Sequence, residues 1–190
     1  MRHGALVSLT VLAAGGAGCG GEERQDAAEP GRTYDVEVVE VSFPARQHLA
    51  RPATLRIRVR NAGDEAIPDL AVTVDSFAAQ AEDPGLASGG RPVWIVDGAP
   101  AGGAGAYTNT YAFGRLGAAQ ARTIEWRVTP VRAGTHTIRW RVAAGLAGRA
   151  QARAPGGGRP EGAFTVRVAQ RAGRVSVDGA TGAVVREPGR

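Results

Sequence analysis

The tightest constraint on this chain is a period of two. In TLRIRVRN (54–61), Leu55, Ile57 and Val59 alternate with Arg56, Arg58 and Arg60. TIEWRV (123–128) sets Ile124, Trp126 and Val128 against Glu125 and Arg127. TIRWRV (137–142) sets Ile138, Trp140 and Val142 against Arg139 and Arg141, and FTVRV (164–168) sets Phe164, Val166 and Val168 against Thr165 and Arg167. Successive strand side chains point to opposite faces, so this pattern describes strands with one face buried and one in water. A helix cannot use it, because alternating apolar positions would scatter around its axis. No segment after residue 20 carries a helical stripe.

Other strands are less regular. YDVEVVEVSF (34–43) changes phase at Val38-Val39, with Val36 and Val38 on one face and Val39, Val41 and Phe43 on the other. A bulge, or a first strand crossing between two sheets, produces such a change. DLAVTVDSF (69–77) buries Leu70, Val72 and Val74, and PVWIVD (92–97) and YTNTYAFG (107–114) complete the set. Turn residues separate about eight short strands, the pattern of a single antiparallel, immunoglobulin-like β-sandwich. A chain of this length suits one domain with tails. The division is 1–18 signal peptide, 19–33 flexible tether, 34–170 sandwich and 171–190 a C-terminal hairpin or loose tail, the hairpin turning around Gly179–Gly182.

ATLRIRVRNAGDEAIPDLAVTVD (53–75) resembles the second and third strands of bacterial immunoglobulin-like surface repeats, the CARDB and DUF11-like groups. These favour an alternating strand, then Asn-x-Gly-Asp/Glu, then a strand opening near Pro. LGAAQARTIEWRVTPVRAGTHTIRWRV (116–142) resembles their closing hairpin, with a small turn at Ala133-Gly134. The resemblance implies the fold and a cell-surface or envelope setting. It brings no catalytic residues and no Cys…Trp…Cys core.

The amino terminus points the same way. Arg2 and His3 give a positive start, and Ala5 to Ala14 is an apolar run too short to span a bilayer as a helix. Small residues Gly15 to Gly18 follow, then Cys19, the single cysteine of the chain. One cysteine forms no internal disulfide. The order resembles a bacterial lipoprotein signal, cut between Gly18 and Cys19, with Ala17, Gly18 and Cys19 at its last three positions. Gly16 departs from it, standing where Leu or another aliphatic residue is usual. The resemblance implies lipid on Cys19, and two or more acyl chains give stable anchoring. The plainer alternative is an ordinary secretory signal cut nearby. Gly20 to Thr33 is polar, with Gly and Pro, as a tether is.

Residues able to carry catalysis are not grouped. His3, His48 and His136 are far apart, without Cys or acidic neighbours at metal-ligand spacing. The serines lie in no nucleophile elbow, and the glycine-rich stretches join no strand to a helix. The reading is therefore no enzyme, no catalytic residue, no metal and no cofactor. The net charge is +5, but all 23 basic residues are Arg and spread along the chain. Without a clustered basic face and aromatic platforms, nucleic acid is not the expected partner.

Two basic features remain. Arg56, Arg58, Arg60 and Arg127 fall on one outer face, and Arg139, Arg141 and Arg167 on the other. They either meet an anionic polymer or headgroup, or form a solvated face interleaved with acids such as Asp75 and Glu125. The loop GLAGRAQARAPGGGRPEG (145–162) carries Arg149, Arg153 and Arg159, and belongs at one end of the sandwich beside NAGDEAIP (61–68). It is the candidate binding loop; equally, Arg149 or Arg153 pairs with Asp64 or Glu65. Together these features predict an exported, non-enzymatic lipoprotein, a structural or protein-binding module on the outer face of the cytoplasmic membrane, secreted if Cys19 carries no lipid. It holds a membrane through Cys19, and its partner is an envelope protein or, alternatively, a polysaccharide or other anionic polymer.

Overall fold

The structure is a computed structural model and describes residues 29–77, 80–82, 90–170 and 175–186. In chain order its strands are β1 (Thr33–Ser42), β2 (Arg46–His48), β3 (Ala53–Asn61), β4 (Ala71–Val74), β5 (Gln80–Glu82), β6 (Gly90–Pro92), β7 (Trp94–Val96) and β8 (Ala104–Tyr107). They continue as β9 (Thr110–Ala112), β10 (Ala121–Pro130), β11 (Gly134–Ala143), β12 (Gln151–Arg153), β13 (Glu161–Ala169), β14 (Val175–Val177) and β15 (Val184–Arg186). A single 3₁₀ turn, Asp75–Phe77, is the one helical element among the described residues.

The alternation works as its period requires. Along β3 every second residue is buried, from Ala53 to Asn61, and Arg56, Arg58 and Arg60 face out. Ile124, Trp126 and Val128 do the same on β10, as do Ile138 and Val142 on β11 and Val166 and Val168 on β13. Each such side chain contributes about 1.5–3 kcal/mol relative to exposure. The inner faces form one core between two sheets, a five-stranded β12-β1-β3-β10-β7 and a six-stranded β2-β13-β11-β4-β9-β8. The all-β sandwich expected from the sequence is therefore present. Its strand order is immunoglobulin-like: β1-β3-β10-β7 corresponds to A-B-E-D and β13-β11-β4 to G-F-C. The β8–β9 hairpin lies beyond the C-like strand but follows the D-like β7 in the chain, a departure from that pattern.

Several local expectations change. Both sheets are mixed, because β12 joins β1 and β2 joins β13 in parallel at their edges. The phase change in β1 is a bulge: Val38 faces Val59 and Glu40 faces Arg58, leaving Val39 as the extra residue. Val39 alone is turned out, at 50 % exposure, while Val36, Val38, Val41 and Phe43 all reach the core. The expected closing hairpin is not one. β10 pairs with β3 and β7, whereas β11 pairs with β13 and β4, so the chain at 131–133 crosses from one sheet to the other. This is the E-to-F connection of the immunoglobulin order, and the apolar phase of both strands fits it because each faces the shared core. Trp126 and Trp140 accordingly lie in opposite sheets. Trp126 is buried, and Trp140 is half-buried over Gly162, where a Cβ would meet its ring at 2.6 Å.

YTNTYAFG is not one strand but the β8–β9 hairpin and the residues after it. Its turn is Thr108-Asn109, with Asn109 at φ 60°, which Asn adopts more readily than other non-glycine residues. β14 and β15 form an antiparallel hairpin. Its turn is held by Asp178 Oδ1, which accepts the amides of Ala180 at 2.8 Å and Thr181 at 3.0 Å. Backbone donors of this kind hold the Asp178 carboxyl below its ordinary value.

Candidate binding surface at one end of the sandwich

The start of β1, the end of β3, the start of β10 and β12 come together at one end. Asn61 organises it. The sequence places a polar residue in the inward phase of β3, and it is fully buried. Its Nδ2 donates to the carbonyls of Glu65 at 2.7 Å and of Leu116 and Gly117 at 3.1 Å, and its Oδ1 accepts the Gly63 amide at 3.1 Å. This side chain closes the NAGDE turn on itself and ties it to the 116–117 segment. An Ile67–Leu116 bridge continues the tie.

The surface above is polar and shallow. A depression of about 280 Å³ lies among Arg32, Asp35, Asn61, Asp64 and Glu65. Asp35 also borders a second, of about 580 Å³, with Ala62, Arg153, Pro155 and Gly157. A third, about 360 Å³, joins Asp64 to Arg115, Gly117 and Gln120. The 145–162 loop and the 61–68 turn are thus neighbours. Within that loop lies β12, which the sequence reading missed. QAR is too short to alternate, and β1 creates it by pairing.

The three loop arginines separate. Arg153 forks onto Asp35, with Nε at 2.9 Å and Nη2 at 2.7 Å from Oδ1. Neither Asp64 nor Glu65 takes it, and Glu65 pairs instead with Arg32. Arg149 and Arg159 are exposed and have no ion partner among the described residues. The Arg rows lie on the two outer faces as expected. Arg56 meets Glu125 at 2.7 Å, Arg60 meets Glu37 at 2.7 Å, Arg127 meets Asp97 at 3.5 Å and Arg141 meets Asp75 at 2.8 Å. Glu125 and Asp75 are the interleaved acids, and Glu37, Asp97 and Asp35 are partners the local pattern did not identify. Exposed pairs of this kind are worth about 0–1 kcal/mol each.

Cys19, Gly18 and the rest of the signal-like segment lie outside the described residues. Of the segment read as tether, Glu29 to Thr33 rests on this same end. Gln151 donates its amide to the Arg32 carbonyl at 2.8 Å, and Thr33 opens β1 beside Gln151. Asp69 stands close by, accepting the Gly114 amide at 2.8 Å. Burial pushes its carboxyl above the ordinary value; the Gly114 bond opposes this, and the charge of Glu29 adds to it.

An aromatic group lies in and against the core. Trp94, Phe43, Phe77 and Phe164 form an aromatic cluster with centroids 6.0–6.3 Å apart. His136 packs against Trp94 with centroids at 5.4 Å, and its Nε2 is buried without a hydrogen-bond partner. Among the described residues no group of three or more His, Cys, Asp or Glu could hold a metal ion. Among the same residues no helix is long and apolar enough to cross a membrane.

The fold and this loop-built end define a class, an immunoglobulin-like β-sandwich module with a polar end surface. No protein-family model matches the chain, and no curated protein matches it. Solved structures resemble it in outline. One is the CARDB domain of a Pyrococcus furiosus protein, crystallised with di-metal ions, at 17% identity over 71% of this chain and 93% of that one, with a TM-score of 0.46. Another is Escherichia coli alpha-2-macroglobulin from domain MG7 to its C-terminus, at 16% identity over 79% of this chain and 21% of that one, TM-score 0.46. A third is the Pseudomonas fluorescens alkylpurine DNA glycosylase bound to DNA containing an abasic site analog, at 13% identity over 72% and 30%, TM-score 0.38. One sandwich outline serves many unrelated activities, so likenesses of this size do not speak to function.

Proposed function

We propose that this protein is a non-enzymatic module of the bacterial envelope, exported, anchored to the outer face of the cytoplasmic membrane through lipid on Cys19, and holding another envelope protein at the loop-built end of its sandwich. The observation that carries the reading is an order along the chain. A positive start, a short apolar run, small residues and a single Cys precede a polar spacer, and the spacer runs directly onto that end of a β-sandwich. A thiol in this place serves attachment, since a diacylglyceryl transfer needs a thiolate nucleophile. Metabolic labelling with a fatty-acid analogue tests it. Wild-type protein takes the label, and Cys19→Ser loses it and moves to the soluble fraction. An unlabelled wild type whose amino terminus lies beyond Cys19 rejects the anchor.

A second reading is an accessory protein, anchored or secreted, that binds carbohydrate or another anionic polymer. Arg149 and Arg159 favour it, being exposed without ion partners among the described residues. Changing Arg149, Arg153 and Arg159 together to Ser separates the two. Polymer binding would weaken and lose salt dependence, as counterion release requires, while protein binding through other loops would persist.

A further inference from the structure

The loop from Gly145 to Ala150 is occupied. The Glu29 side chain enters it, and its two oxygens accept the backbone amides of Ala147, at 2.6 Å, and of Ala150. Gly145 makes room: a Cβ there would lie 2.3–2.6 Å from the carboxylate carbon and oxygens. Gly148, at φ +76°, gives the left-handed step that lets amides on either side of it turn toward one point. The cradle is also rigid at its ends, because Ala144 and Ala150 are buried in the core. Converging backbone amides are a preformed anion site, and bonds to a carboxylate are about twice as strong as neutral ones.

We propose that this loop is a carboxylate-binding site for an acidic peptide segment, closed in cis by Glu29 and opened when a partner's carboxylate takes its place. Three observations carry the exchange. Recognition is by backbone, so it asks for a carboxylate and little else. Glu29 enters from outside the sandwich strands, four residues before β1. Short of the backbone bond from Gln151 to the Arg32 carbonyl, where β1 begins to pair, the side-chain tie beside it is weak, since the Arg32–Glu65 pair is more than half exposed on both sides. The inference stands on this loop alone and does not need Cys19 to be lipidated, so its failure and the failure of the anchor are separate results.

The test uses the full chain and reads the amides of Ala147 and Ala150 by NMR and hydrogen exchange. In the wild type both are shifted downfield and protected. Glu29→Gln should move them upfield and speed their exchange about tenfold or more, with strand amides of β3 and β10 unchanged. Gly145→Ala should do the same without touching Glu29, because the added Cβ evicts the carboxylate. A synthetic peptide of residues 24–33, added to the Glu29→Gln chain, should restore the downfield shifts in a saturable titration. The same peptide with Gln at position 29 should not. Unchanged amides in both variants overturn the proposal. So does a peptide that leaves the vacated cradle unshifted, or a Gln peptide that binds as well as the Glu one.

Discussion

Trp94 donates its indole N–H to the side-chain oxygen of Gln47 at 2.9 Å, and both residues are buried. The bond runs from β7 in one sheet to β2 in the other. Gln47 in turn donates from Nε2 to the Pro44 carbonyl at 3.1 Å, so the amide is satisfied at both ends. Gln47→Leu keeps the bulk and removes the acceptor. A buried donor left without a partner costs about 1–3 kcal/mol. Urea unfolding should show that loss, and Gln47→Glu, which keeps an acceptor for Trp94 but loses the donor to Pro44, should behave differently from Leu. Equal stability of Gln47→Leu and wild type would mean the indole finds another acceptor.

Asn61 makes a sharper prediction, because orientation decides it. Its amide nitrogen faces three carbonyl oxygens. Asn61→Asp is nearly isosteric yet replaces the donor by an oxygen facing other oxygens. It should destabilise at least as much as Asn61→Ala, and both by more than the ~1 kcal/mol typical of a point change. A tolerated Asp would show that the donation to these three carbonyls contributes little to stability.

The strands on either side of the sheet crossing, β10 and β11, rank their tryptophans. Trp126 is 1% exposed and touches Phe113 and Tyr111 edge-on at 6.4 Å, so Trp126→Ala should lose about 3–5 kcal/mol. Trp140 is half-buried, and its truncation should lose less. Arg127→Ala and Arg139→Ala, both on exposed phases, should stay within ~1 kcal/mol. Denaturant midpoints of the four variants give the order directly; an Arg change costlier than Trp126→Ala contradicts the burial phase.

Two aspartates should titrate on opposite sides of the ordinary value of 3.8. Asp178, lowered by the Ala180 and Thr181 amides, supports its hairpin turn above the ordinary range and loses that support as pH falls through its folded value. Asp69, raised by burial, works in reverse: its contribution is full below the ordinary value and is lost as pH rises through the folded one. Carboxyl carbon shifts followed by NMR should place Asp178 below and Asp69 above 3.8. Glu29→Gln should bring Asp69 part of the way back, since the Glu29 charge adds to its shift.

Which side chains face inward was decided locally. The alternation of Leu55, Ile57 and Val59 with Arg56, Arg58 and Arg60 specifies a half-buried strand wherever that strand sits, because the period belongs to the backbone. The same holds for β10, β11 and β13; at Val38-Val39 only the break itself was legible, and the return of Val41 and Phe43 to the core face was set by the bulged pairing with β3. Pairing could not be read this way. Whether β10 turns back on β11 or crosses to the other sheet leaves both alternations intact; the shared core decided it. β12 has no pattern of its own and exists because β1 lies beside it. Arg153 meets Asp35 from 118 positions away in the chain, in preference to Asp64 or Glu65. Glu29 reaches the amide of Ala147 across the same separation. Such contacts depend on which distant segments reach the same end of the sandwich, and that is set only when the sheets pack and their registers lock. The residues that give this end its chemistry were therefore visible in the sequence as charges and glycines, and became a site only through the fold.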